Sequence, residues 1–173
     1  MNLDRFVPTI YQKSVLDIDY TKLKKTGIKC ILFDLDNTLI NAKENSFDKK
    51  IEKLLVKLSK DFKLIIVSNN FKKRIKPFCD IISIDFISFC LKPCTIKLKR
   101  KLKKLVFLND EICIIGDQLI SDVLVGNKIK VKTILVDPIG KDLKVTGLNR
   151  YLENRILNKL KDKNALERGN YYE

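Results

Sequence analysis

The chain of 173 residues contains no histidine. That absence removes Ser-His-Asp triads, Cys-His pairs and histidine-ligated zinc from consideration. Any general acid or base must then be a carboxylate, lysine, tyrosine or cysteine. No apolar run approaches the roughly 18 residues of a membrane span. Residues 1–14 lack the apolar core of a signal peptide, so a cytoplasmic location is expected. Cysteines are few and odd in number: Cys30, Cys79, Cys90, Cys94 and Cys113. Most sit beside apolar runs and read as small buried hydrophobes, not as a disulfide framework. Cys90 and Cys94 could share a helix face, but two thiols without further ligands make a poor zinc site. Repeats, linkers and breaks in composition are also missing. The length therefore fits one domain with a full-sized core, placed at residues 1–163, with a polar, flexible tail over 164–173.

Acidic residues are the minority. The 35 Lys and Arg against 21 Asp and Glu leave a net charge of +14. Such a balance favours an anionic partner: nucleic acid, an anionic membrane surface or a phosphorylated substrate. A plainer explanation is an AT-rich genome that inflates lysine, isoleucine and asparagine, with the lysines only solvating the surface. Apolar residues at 45% and charged residues at 32% suit a globular protein.

The chain is organised around Ile31-Leu32-Phe33-Asp34-Leu35-Asp36-Asn37-Thr38, an apolar strand ending in two carboxylates. Residues i and i+2 of an extended segment point the same way. Asp34 and Asp36 therefore repel and lose hydration unless a divalent cation or a shared proton compensates them. Ahead of this strand, residues 1–19 read as an arm packed on the domain, with no secondary structure assigned. Asp19 or Thr21 can cap a short helix through Leu23 that Gly27 stops. Beyond it, Ser46 is a candidate N-cap for an amphipathic helix carrying Phe47, Ile51, Leu54, Leu55, Leu58 and Phe62. A second apolar strand, 64–67, runs into Ser68-Asn69-Asn70. A short basic helix over 71–76 is expected to end near Pro77, and 81–89 holds a third strand. Pro93 suits the first turn of a helix over 93–105. Ile96, Leu102 and Leu105 form its expected buried face, with six basic residues around the rest. A fourth strand, 112–115, enters Gly116-Asp117-Gln118, and Ser121 or Asp122 opens the next helix. A fifth strand, 133–136, and a last helix marked by Leu148, Leu152, Ile156 and Leu160 complete the order.

Apolar strands alternating with helices predict an α/β fold with a central parallel sheet covered on both faces. Sites in such sheets lie beyond the carboxyl ends of the strands. The polar clusters fall there: Asp34 and Asp36, then Ser68 to Asn70, then Lys92, then Asp117 and Asp122. Several carboxylates, one lysine, and hydroxyl and amide groups suit Mg2+-assisted phosphoryl transfer, because Mg2+ prefers carboxylate, carbonyl and water oxygens. An ionised aspartate can attack phosphorus without a separate base. A neighbouring carboxylate can supply the leaving oxygen's proton. Lys92 suits a point charge on phosphate, and Ser68 with backbone N–H groups at the adjoining helix start suits its oxygens.

Asp34-Leu35-Asp36-Asn37-Thr38, Ser68-Asn69-Asn70, Lys92-Pro93 and Gly116-Asp117-Gln118 with Asp122 resemble the four ordered motifs of haloacid dehalogenase (HAD) superfamily phosphatases. The likeness extends to Pro8, Tyr11, Ser14-Val15 and Asp17-Ile18-Asp19, to Asp122-Val123 through Gly126-Asn127, and to Asn149-Arg150. Over roughly 6–160 the chain is similar to the YqeG family of subclass IIIA, relatives of mitochondrial phosphatidylglycerophosphatases. One departure is Cys90-Leu91 ahead of Lys92, where smaller residues are expected. The resemblance implies a HAD-like Rossmannoid three-layer fold. It implies Asp34 as nucleophile, Asp36 as general acid and base, and Ser68 and Asn69 as phosphate ligands. Mg2+ would be held by Asp34, the main-chain carbonyl of Asp36 and Asp117, with Asp122 orienting a metal-bound water or Lys92.

About 29 residues separate Thr38 from Ser68, and about 22 separate Asn69 from Lys92. Neither interval has room for a large cap domain, so the site is expected to be open and to suit a phosphate carried on something large. The leading expectation is dephosphorylation of phosphatidylglycerophosphate to phosphatidylglycerol, with the basic helix 93–105 touching the inner face of a membrane. The alternatives are a phosphatase on nucleotide, sugar or nucleic-acid-end phosphates, and a basic RNA- or ribosome-binding module with weak activity. Lysines without an aromatic stacking cluster argue against single-stranded RNA. Cys94 and Arg100 share the Cys-x5-Arg spacing of cysteine phosphatases. The glycine-free stretch between them reads as helix and not as a phosphate-wrapping loop.

Overall fold

Burial on both faces of one sheet organises the molecule. The computed structural model describes residues 3–140, 147–163 and 165–169, apart from the side chains of 147–150. Six parallel strands form one sheet: β1 (Ile10–Gln12), β2 (Cys30–Phe33), β3 (Lys63–Val67), β4 (Asp85–Ile87), β5 (Ile112–Gly116) and β6 (Lys132–Val136). Their order is β1-β6-β5-β2-β3-β4. From β2 the chain winds outward through β3 and β4, then crosses to β5 on the other side of β2 and winds outward again. The carboxyl end of β2 is thus the point where the winding reverses, the usual place for a ligand in an open α/β sheet.

The strands are apolar on both sides, as a sheet covered by two helical layers requires. On one face Ile31, Phe33, Leu64, Ile66, Cys113 and Ile115 meet helices α1 (Tyr20–Lys25), α2 (Lys49–Leu58) and α3 (Lys72–Ile82). On the other, Cys30, Leu32, Ile65, Val67 and Ile114 meet α4 (Ile96–Leu102) and α5 (Leu124–Ile129). A third apolar cluster joins Tyr11, Leu135, Leu119 and Val123 to Ile156 and Leu160 of α6 (Gly147–Asp162). Among the described residues, no helix is long and apolar enough to cross a membrane.

Several local expectations change. Part of the arm is a strand, β1, paired with β6 at the sheet edge. Asp48, not Ser46, caps α2, its carboxylate accepting the Lys50 N–H at 2.7 Å. Helix α3 runs through Pro77 to Ile82, because Ile75, Phe78 and Cys79 are buried against the sheet on both sides of the proline. The basic helix is shorter than 93–105: the Cys94 N–H bonds to the Leu91 carbonyl and closes a turn before α4 begins. Its buried face is Leu98 and Leu102, and Ile96 is 75% exposed. Within the stretch expected as a tail, residues 165–169 make contacts with the domain. There Leu166 is buried beside Tyr11, the Gly169 N–H bonds to the Tyr11 carbonyl at 2.7 Å, and Arg168 pairs with Asp137. Residues 170–173 lie outside the described residues, as does the side chain of Arg150.

Candidate active site

The first carboxylate loop is a tight extension of β2. The Asp34 N–H still bonds to the Ile115 carbonyl of β5 at 2.8 Å. Leu35 is fully buried, which turns Asp34 and Asp36 away from the core. The chain then reverses at Asn37, whose φ of +67° suits asparagine. The Thr38 hydroxyl donates to Asp117 Oδ1 at 3.1 Å and ties the β2 exit to the β5 exit.

Lys92 crosses the site from the β4 side. Its Nζ donates to Asp34 Oδ1 and to Asp122 Oδ1, each at 2.5 Å. Its side chain and that of Asp122 are almost wholly buried. The other oxygen of Asp122 accepts the Gln118 N–H and the Ser121 hydroxyl, each at 3.2 Å. Asp122 reaches this position on a single π-helical turn, Leu119–Val123, that precedes α5. Gly116 makes the approach possible: a Cβ there would sit 2.2 Å from the Asp122 carboxyl carbon. Glu153 of α6 accepts the N–H groups of Leu119 and Ile120 and so steadies the start of the same turn.

The expected phosphate ligands divide. Ser68 is buried at the β3 exit and its oxygen accepts the Asn70 N–H at 3.1 Å. Asn69 is held to the main chain of Lys92. Its carboxamide accepts the Lys92 N–H at 2.7 Å and donates to the Lys92 carbonyl at 3.1 Å. Asn69 thus positions Lys92, and the second N–H of its amide is not used in these bonds.

Arg74 is the group that sequence reasoning missed. Its Nη2 donates to Asp36 Oδ1 at 2.9 Å and to the Ala42 carbonyl at 3.1 Å, and its Nη1 donates to Asn45 at 2.9 Å. The guanidinium lies over the Phe78 ring, 5.2 Å from its centroid. Asn70 donates to the second oxygen of Asp36. The signal was faint but present: one arginine among the lysines of α3, where a planar five-donor fork can do what an ammonium cannot.

The electrostatics leave a surplus of negative charge. Asp34, Asp117 and Asp122 offer oxygens within 4.8 Å of one another. Burial drives the Asp34 carboxyl up to about 7, with the Lys92 ammonium opposing the rise and Asp122 adding to it. Burial likewise holds Asp117 well above the ordinary carboxylate range, reinforced by Asp34 and Asp122. Burial alone would lower Lys92, but Asp122 and Asp34 outweigh it and keep the ammonium charged. One lysine thus faces three carboxylates. A hard divalent cation with oxygen ligands fits that donor set, with Asp34 and Asp117 the better placed ligands because Asp122 is committed to Lys92, Gln118 and Ser121.

The fold and the site together define a HAD-type phosphatase. A family model described as HAD-hydrolase-like matches residues 89–146, and one described as mitochondrial PGP phosphatase matches residues 1–77. A Bacillus subtilis protein named probable phosphatase YqeG is 36% identical over 164 residues, which is 94% of this chain and 95% of that protein. The chain belongs to the YqeG family. Among solved structures, a HAD family enzyme from Bacteroides thetaiotaomicron, determined as a magnesium complex, superposes with a TM-score of 0.53 at 16% identity, covering 68% of this chain and 97% of that one. A subfamily IIIA HAD hydrolase from Legionella pneumophila gives a TM-score of 0.50 at 20% identity, covering 83% and 90%. At such identities these two share the fold.

Proposed function

We propose that the chain is a Mg2+-dependent phosphomonoester hydrolase working through an aspartyl-phosphate on Asp34, and that it converts phosphatidylglycerophosphate to phosphatidylglycerol. The observation that carries the reaction is Asp34 itself, a buried carboxylate at the reversal of the sheet, held by Lys92 and clustered with Asp117 and Asp122. Asp34, Asp117 and the main-chain carbonyl of Asp36 would hold the cation. Mg2+ supplies positive charge that offsets the carboxylates and the phosphate oxygens.

An oxygen of Asp34 attacks phosphorus as the bond to the ester oxygen breaks, and Asp36 gives that oxygen its proton. Asp36 then takes a proton from water, which attacks phosphorus and returns Asp34 to a carboxylate. Lys92, anchored by Asp122, presents its charge to the phosphoryl oxygens, and the Ser68 hydroxyl donates to them. Asp36 has both oxygens engaged by Arg74 and Asn70. It reaches the leaving oxygen by exchanging one of those partners for the substrate.

Two observations support a lipid-borne phosphate. The first 77 residues match the PGP phosphatase model. Only α2 and β3 lie between Thr38 and Ser68, and only α3 and β4 between Asn69 and Lys92, so neither interval supplies a lid domain. A cytoplasmic protein held peripherally at the inner face of the membrane follows from that reading. The test is phosphate release from phosphatidylglycerophosphate, a nucleotide, a sugar phosphate and nucleic-acid ends, with Mg2+ or EDTA and with Asp34→Asn as control. Preference for the lipid supports the proposal. Release only from the soluble esters moves the substrate to that class, and no release from any favours a nucleic-acid-binding role.

A further inference from the structure

Four large apolar side chains near the mouth of the site stay largely open to solvent. Phe71 is 69% exposed, Phe89 44%, Leu91 53% and Ile96 75%. Single exposed hydrophobes are ordinary, but a cluster beside a site marks an interaction surface. The loops that carry Phe71, Phe89 and Leu91 are joined by the backbone, and Ile96 opens α4 just past the turn closed on the Leu91 carbonyl. The Phe89 N–H bonds to the Asn70 carbonyl at 2.7 Å and the Cys90 N–H to the Ser68 carbonyl at 3.0 Å, so the loops after β3 and β4 are stitched together. The Phe71 and Phe89 rings stack at 5.3 Å with 15° between their planes. Phe71 follows Asn70, which holds Asp36, and Leu91 precedes Lys92, which holds Asp34.

The backbone accepts strain at this place. Phe89 has φ +47° and Leu91 φ +57°. Bulky side chains disfavour that region, and such strain persists where surrounding structure imposes it. Here it leaves two large apolar side chains exposed.

The charge around the patch has one sign. Lys72, Lys73 and Arg100 are exposed beside it, and the Lys97 ammonium lies 5.9 Å from the Phe89 ring centroid. From Phe86 to Asn109 there is no acidic residue. The other end of α4 is elsewhere. Lys103 lines a groove with Phe107, Asn109 and Lys130, residues that precede β5 and β6, at the opposite end of the strands from the site.

We propose that the mouth of the site is a membrane-docking surface, in which Phe71, Phe89, Leu91 and Ile96 enter the interface of an anionic bilayer and Lys72, Lys73, Lys97 and Arg100 meet its headgroups. Aromatic and aliphatic side chains ringed by cations are the combination that interfacial anchoring uses. A stacking platform for bases is the poorer match, because Phe71 and Phe89 each give a ring face to the other and Leu91 and Ile96 have no face to offer. The inference deepens the lipid reading above. It also restricts the basic helix to a supporting part, through its first turns only.

The test measures binding without turnover. The full chain is sedimented with vesicles of phosphatidylcholine alone and of phosphatidylcholine with phosphatidylglycerol, at low and high salt. The expected result is capture by the anionic vesicles that weakens with salt. The double variant Phe71→Ser, Phe89→Ser should lose about tenfold or more in vesicle affinity. Each of Lys73→Gln and Arg100→Gln should lose about fivefold. Lys103→Gln with Lys104→Gln should bind as wild type. Thermal melting of each variant confirms that it is folded. Wild-type protein that ignores anionic vesicles overturns the proposal. So does a folded Phe71→Ser, Phe89→Ser variant that binds fully, or a Lys103, Lys104 pair that matters as much as Lys73. Hydrolysis of a soluble phosphomonoester by the wild type is scored separately, so that failed docking and failed catalysis are told apart.

Discussion

Asp34 carries the sharpest consequences. If Asp34 attacks as we propose, Asp34→Asn keeps the shape and removes the attacking charge, so turnover should fall to background, and no acid-stable phosphoryl label should remain on the protein. Its titration also couples to folding. Burial raises Asp34 from 3.8 to about 7. Between those values the native state holds a proton that the unfolded chain has released, so stability falls as pH rises through that window. Asp117 moves in the same direction. Metal-free protein should therefore melt at lower temperature at pH 7 than at pH 5. Mg2+, which competes with those protons, should restore more stability at the higher pH. A melting temperature in EDTA that rises across this range would contradict the assignment.

Arg74 makes a second prediction at this scale. It touches Asp36 and not the cluster around Asp34, so its loss should act on proton transfer. Arg74→Ala should lower kcat toward the roughly 10²-fold end of what general acid-base catalysis contributes, with KM little changed in steady-state assays. Arg74→Lys should recover little, because an ammonium cannot span Asp36, Ala42 and Asn45 together.

At the scale of elements, helix α4 tells how sequence and structure diverge. Its period was readable but its phase was not: Ile96 and Leu98 are both apolar, and only the turn closed by Cys94 and Leu91 decides that Leu98 faces the sheet. Leu98→Ala should cost about 2–5 kcal/mol, as for other buried leucines. Ile96→Ser should lie within about 0.5 kcal/mol of wild type. Urea denaturation of the two variants checks both figures. The central strands were legible because four-residue apolar runs are rare outside buried sheets. Strand β1 was not, since three residues ending in Gln12 carry no alternation and its partner β6 is over 100 residues away. The carboxylates and Lys92 were legible as types at strand ends. Asn69 and Arg74 were not, because what each does depends on a hydrogen-bond partner reached only in three dimensions.

For the whole molecule, the order of strands matters more than any one of them. Parallel winding brings Asp34, Ser68, Lys92 and Asp117, which span 84 positions of sequence, to one end of the sheet. The same winding puts the lysines of the far end of α4 away from it. A net charge of +14 is therefore a poor guide to where an anion binds. Gly116→Ala tests how tightly the parts are coupled. The added methyl would strike Asp122, and Asp122 holds Lys92. Activity should drop by more than tenfold while the fold survives, since the clash falls on a site residue and not on the sheet. Circular dichroism beside phosphate release would separate the two effects.

Asn69 does for Lys92 what a neighbouring strand does for a residue inside a sheet: it offers one acceptor and one donor to the main chain of the same residue. A side chain thereby extends the hydrogen-bond ladder past the last residue of β3 and lends the following loop the stiffness of a strand. In the reaction we propose, Lys92 would hold its charge steady while Asp34, one of its two partners, changed from carboxylate to acyl phosphate and back. Asn69→Asp would keep the acceptor but set an oxygen against the Lys92 carbonyl, and the loop would become a hinge.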